Sequence, residues 1–137
     1  MKRILPCLTG LFLIILLLAG CQGKPLPAGM DEDALLERGQ EVLLELVGGD
    51  YEAVYGQLRE DVAAGTSAED IQSLVLRQLD GAGVYKQIES RMTTGQSSNG
   101  EHYGVAVMYC QFSKDDVLVR LAFDPQMALI GLEVKKQ

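Results

Sequence analysis

Thiol and imidazole chemistry is confined to four side chains: Cys7, Cys21, Cys110 and His102. A nucleophile or base works in catalysis only with a partner within hydrogen-bond reach. No Gly-x-Ser-x-Gly elbow, His-Glu-x-x-His pair or phosphate loop accompanies them. His102 stands beside a polar stretch with no evident partner, so an exposed, inert histidine is expected. Cys110 falls in the most apolar stretch, where a thiol packs as a small hydrophobe and its thiolate is disfavoured. Asp31, Glu32 and Asp33 are adjacent and lack the spacing of a calcium loop. No catalytic, metal-binding or cofactor-binding residue is therefore assigned, and no cofactor is expected. Tyr85, Tyr109 and Arg120 are the candidate ligand or partner contacts, because aromatic and arginine side chains are enriched at recognition surfaces. The structural alternative puts Tyr109 in the core and pairs Arg120 with Glu133 across a sheet.

Cys21 differs from the other thiols because of what precedes it. Lys2 and Arg3 give a positive start, and Leu11 to Ala19 is unbroken apolar chain. That run is short of the roughly 20 residues needed to span about 30 Å of hydrocarbon, and it ends on small residues, as a secretory signal does. Leu18-Ala19-Gly20-Cys21 resembles the bacterial lipobox. The resemblance implies a diacylglyceryl group, with fatty acids of the palmitate type, on the Cys21 thiol. It also implies cleavage between Gly20 and Cys21. The alternative is an ordinary signal with an accidental cysteine. Two acyl chains hold a protein on a bilayer where one holds it only marginally, so the membrane is the expected partner and the location extracytoplasmic. Cys7 leaves with the signal and Cys21 is acylated, which leaves Cys110 alone and the folded domain without an internal disulfide.

The whole chain carries 12 basic and 19 acidic residues, a formal net charge of −7. Loss of Lys2 and Arg3 deepens the deficit by two. Such a surface has no electrostatic footprint for nucleic acid and is repelled by anionic lipid.

The organisation follows: a signal over 1–20, a Pro/Gly tether over 21–30 and one domain over 31–137. Asp31-Glu32-Asp33 suits a helix N-terminus; Leu35, Val42, Leu43, Leu46 and Val47 recur at helical spacing until Gly48-Gly49. Glu37, Glu41 and Glu45 form its solvated face. Asp50 caps a second helix from Tyr51 to about Glu60. Thr66-Ser67-Ala68-Glu69 forms a capping box for a third, ending near Leu79.

From Val84 the period becomes two. Residues 84–93 form a strand with Ile88, Ser90 and Met92 on one face, and 94–101 a polar turn. Residues 103–112, apolar on both faces, form a central strand. Residues 117–123 and 129–135 complete the sheet, with Ile130, Leu132 and Val134 inward. Short turns make the strands antiparallel. The expected class is α+β, with three N-terminal helices on a four-stranded sheet. Leu118, Ala122, Met108 and Leu129 mark an outer face too apolar for open water, suited to a homodimer.

Leu46 to Tyr55, Gly83 to Ile88, Val105 to Phe112, Val117 to Phe123 and Ile130 to Val134 resemble the family catalogued as domain of unknown function 3887. That family is similar to the cystatin-like, nuclear-transport-factor-2-like roll, in which a curved sheet wraps helices around a cone-shaped cavity. The resemblance implies no catalytic residue. The expected role is a non-catalytic, membrane-anchored module for a ligand or protein. The alternatives are an enzyme or enzyme accessory using the cavity, and a dimerising spacer. Cys21→Ser should release the protein from membranes or leave it unprocessed, as read by fractionation and intact mass. Unchanged retention with normal cleavage would contradict the acylation.

Overall fold

The fold was obtained as a computed structural model that describes residues 23–137. The signal segment, the Gly20–Cys21 junction and Cys21 lie outside the described residues. Among those described, four helices precede four strands: α1 Glu32–Val47, α2 Tyr51–Gly56, α3 Glu60–Ala63, α4 Ala68–Gln78, β1 Tyr85–Ser98, β2 Glu101–Phe112, β3 Asp116–Phe123 and β4 Leu129–Lys136. The strands form one antiparallel sheet in the order β1-β2-β3-β4. None of the described helices is long and apolar enough to cross a membrane.

Side-chain caps start α1, α2 and α4. The Asp31 carboxylate accepts from Ala34 N–H and the Asp50 carboxylate from Ala53 N–H, each satisfying an orphan amide. Gly49, at φ +79°, takes the left-handed turn that ends α1. The expected capping box is a single cap one residue later: Ser67 is the cap, its hydroxyl accepting from Asp70 N–H. The expected second helix is two helices. Leu58 leaves helical geometry to form a parallel bridge with Leu129, and Arg59 N–H donates to the Leu129 carbonyl. Pairing with the start of β4 thus breaks the helix.

The sheet differs from expectation at its first hairpin. Residues 94–98 continue β1, and the turn is only Asn99-Gly100, at φ 53° and 79°. Two left-handed residues suit the right-handed twist of a two-residue hairpin, so the polar run is strand. His102 is accordingly an exposed strand residue opposite Ser97. Bulges after Tyr85 and Ile88 reset the alternation of β1. Ile88 shares the inner face with Cys110, whereas Met92 pairs with Val107 on the outer one. A third irregularity, between Ala122 and Phe123, brings Leu129 opposite Phe123. Leu129, not Ile130, is therefore the core residue there.

The core lies between the helices and the inner face, built from Leu35, Val42, Leu43, Leu46, Val75, Met108, Leu121 and Phe123. Gly39, in the middle of α1, sits against Ala106, and a Cβ there would stand 2.7 Å from the Ala106 Cβ. Gly104, one inward position along β2, likewise faces Leu35 and Met30. Glycine within a helix costs about 0.5–1 kcal/mol relative to alanine; here the absent methyl admits the sheet. Gly39→Ala should therefore destabilise the domain by about 1–3 kcal/mol through overpacking, despite its better helix propensity. Adding Ala106→Gly should recover part of that loss in denaturant unfolding. A stabilised Gly39→Ala variant would contradict the close approach.

Candidate functional site

Among the described residues, three of the four exposed large apolar side chains surround one groove. Leu44 on α1, Leu76 on α4 and Val84 just before β1 are 50, 54 and 67% exposed. The groove they border has a volume of about 640 Å³; Leu46, Val47 and Tyr51 line one side, Leu79, Tyr85 and Phe112 the other. Leu44 and Leu76 stand outside the buried stripes of their helices. Solvent-facing leucines at those positions leave apolar surface between the helices uncovered. Val84 follows Gly81-Ala82-Gly83, a turn held by the β2–β3 hairpin: Lys114 N–H donates to the Ala82 carbonyl and Ser113 N–H to that of Val84. The Ser113 hydroxyl accepts from Val84 N–H. The wall at Val84 is thus fixed through both its N–H and its carbonyl by Ser113.

Tyr85 closes the groove floor, meeting Phe112 edge-to-face at 5.7 Å between ring centres, a favoured aromatic geometry. Burial first, and then the nearby Cys110, raise its phenol pKa above the ordinary value. Asp80 is the one ionisable carboxylate along the lining. The site offers apolar surface, two phenols and one acid, with the Lys136 ammonium against the Asp80 carbonyl, which suits holding an apolar body with a polar end.

The other expected contacts are elsewhere. Tyr109 and Arg120 lie on the outer face of the sheet, Tyr109 opposite Leu118 and Arg120 opposite Val107, so neither meets Tyr85. Tyr109 is 42% exposed and is not core, because its strand position points away from the helices. Arg120 is in register with Glu133, but that pair is not among the ion pairs of the described residues. Met108 and Leu129 are fully buried on the inner side, leaving Leu118 and Ala122 on the outer face. A shallow outer depression of about 200 Å³ includes Tyr103, Arg120 and Glu133.

Two polar clusters tie the helices to the strand ends. Arg59 reaches Asp61, Glu101 and Asp124. Its hydrogen bonds, first to Asp61 and then Glu101, raise its pKa, while Asp61 is held below the carboxylate range by Arg59. Asp124 is 4% exposed, and its carboxylate accepts from Gln126 N–H, Ala128 N–H and Arg59. In the second cluster, Gln57 accepts from Arg38 and donates to Glu45 and to the Ala53 carbonyl. Glu45 is thereby half-buried rather than part of a solvated stripe. These groups are satisfied by one another and locate the helices. No cluster of three or more His, Cys, Asp or Glu arranged to hold a metal occurs among the described residues.

The chain belongs to the family described as protein of unknown function (DUF3887), which it matches over residues 40–132. Its fold is similar to that of a protein from Ruminococcus gnavus ATCC 29149 solved by NMR. The TM-score is 0.68 at 24% identity, covering 80% of this chain and 96% of that one. At this identity the likeness is one of fold. A search of curated proteins found no match.

Cys110 is 1% exposed on the inner face, and burial pushes its thiol up to about 11. The folded protein then keeps a proton that the unfolded chain gives up near pH 9. Stability from this group is full below about pH 9 and is lost as pH rises toward 11, by about 2–3 kcal/mol. Denaturant midpoints of wild type should fall across that window more steeply than those of Cys110→Ala. Parallel profiles would contradict the buried thiol.

Proposed function

We propose that the protein is an extracytoplasmic lipoprotein, anchored through Cys21, whose domain is a non-catalytic binding module. The anchor rests on the sequence pattern at Leu18 to Cys21. The helices-then-meander order supports relating the domain to the cystatin-like roll, although the inner face is occupied by α1 instead of a ligand. Binding therefore falls to the groove between α1, α4 and the start of β1. The observation that carries this reading is the convergence of Leu44, Leu76 and Val84 on one apolar depression. Its volume falls within the roughly 300–1,000 Å³ of small-molecule sites. The rim carries the Asp80 carboxylate and the Lys136 ammonium, which donates to the Asp80 carbonyl, so the ligand class is an apolar body with a polar end.

Nile red, a neutral apolar dye, provides a direct assay. Leu76→Asp should weaken its binding at least tenfold, about 1.4 kcal/mol, while changing unfolding stability by no more than about 0.5 kcal/mol. Equal dye binding by wild type and variant, or none by wild type, would overturn the groove assignment.

A further inference from the structure

The expected tether does not hang free from the point where the structure begins. Lys24 N–H donates to the Thr94 hydroxyl at 3.0 Å, and Gly95 N–H donates to the Lys24 carbonyl at 2.9 Å. The segment thus borrows hydrogen bonds from the free edge of β1. It then crosses Gly95, where any side chain would drive into the backbone of Pro25. Beyond it, Leu26 and Met30 pack against the domain core, both facing Gly104. Met30 N–H closes a turn onto the Pro27 carbonyl at 3.1 Å. Gly23 rests against Met92, Thr93 and Thr94, in the middle of that edge.

Cys21 is only two residues before Gly23. Two residues reach at most about 7 Å, even fully extended. A free tether from Cys21 to Met30 would instead average about 17 Å end to end and reach about 30 Å. We infer that residues 23–30 are a docking strap, and that the strap seats the middle of the β1 edge directly on the bilayer. This rests on the acylation of Cys21 proposed above. The occupant of the β1 edge is then a lipid surface, brought there by covalent reach. No basic patch is required, which fits a protein whose net charge gives anionic lipid no electrostatic attraction. The same contact covers an edge strand that would otherwise offer unpaired backbone to other chains.

The test uses the full, acylated chain in phosphatidylcholine vesicles carrying a headgroup energy acceptor. A donor is attached at Ser97→Cys, an exposed position, while Cys110 stays buried and unlabelled. Inserting eight Gly/Ser residues between Gln22 and Gly23 should move the donor outward by roughly 10–15 Å. Gly95→Val should undock the strap, produce a similar shift without the insertion, and open residues 23–30 to protease. Intact mass reports acylation of every sample. An acylated chain whose separation grows on insertion by only about 6 Å or less, the growth of an already free nine-residue tether, would overturn the strap. Protease cutting within 23–30 as fast in wild type as in Gly95→Val would overturn it independently. A wild-type chain without the acyl mass would overturn the proposal together with the anchoring reading beneath it, and the protease comparison would still judge the docking.

Discussion

The absence of a methyl group at Gly39 sets the distance between helix and sheet, and most of the architecture follows from that distance. Packed this closely, α1 buries Leu35, Val42, Leu43 and Leu46 against the inner face, where Met108, Leu121 and Phe123 complete the layer. A core at this density is costly to expand by even one methylene. The interior that a roll would open to a ligand is here filled by the protein's own side chains. The proposed recognition then uses the surfaces left where elements fail to cover one another. The gap between α1, α4 and the start of β1 is such a place.

Polar contacts hold the elements at the edges of this core. Asp124 accepts two backbone amides of its own loop and one guanidinium from the α2–α3 joint. The carboxylate thereby fixes the β3–β4 connection and Arg59 together, while the Leu58–Leu129 bridge pins the same joint by its backbone. A buried carboxylate with its lone pairs satisfied specifies an arrangement; it leaves little for substrate. Arg59, Asp61, Glu101 and Asp124 thus belong to the framework, and the proposed recognition surface is made of leucine, valine and tyrosine.

Much of this was legible in the sequence. Helical spacing, the Asp31 and Asp50 caps, the Gly48-Gly49 stop and the four-strand meander are local signals, and local physics decides them. The misses share a different cause. The break at Leu58 depends on pairing with Leu129, 71 residues further along the chain, which no local pattern announces. The run 94–98 is polar because it flanks a hairpin tip; polarity alone could not separate strand from loop, although Asn99-Gly100 marked the two-residue turn. The bulge after Ile88 moved Met92 to the outer face, and one beside Phe123 exchanged Ile130 for Leu129. A single inserted residue flips every side chain beyond it. Within the groove, Tyr85 was legible as a strand aromatic. Leu44 and Leu76 carried a signal in retrospect: each is a leucine just off its helix's apolar stripe.

The central claim is that this domain binds on its surface between α1, α4 and β1, and not inside the sheet. Methyl-resolved NMR during titration with 1-octanol tests it most directly, because interior and groove methyls report separately. The account predicts saturable shifts at Leu44, Leu76 and Val84, with Leu43, Met108 and Leu121 unmoved. Shifts led by those three interior residues would contradict it.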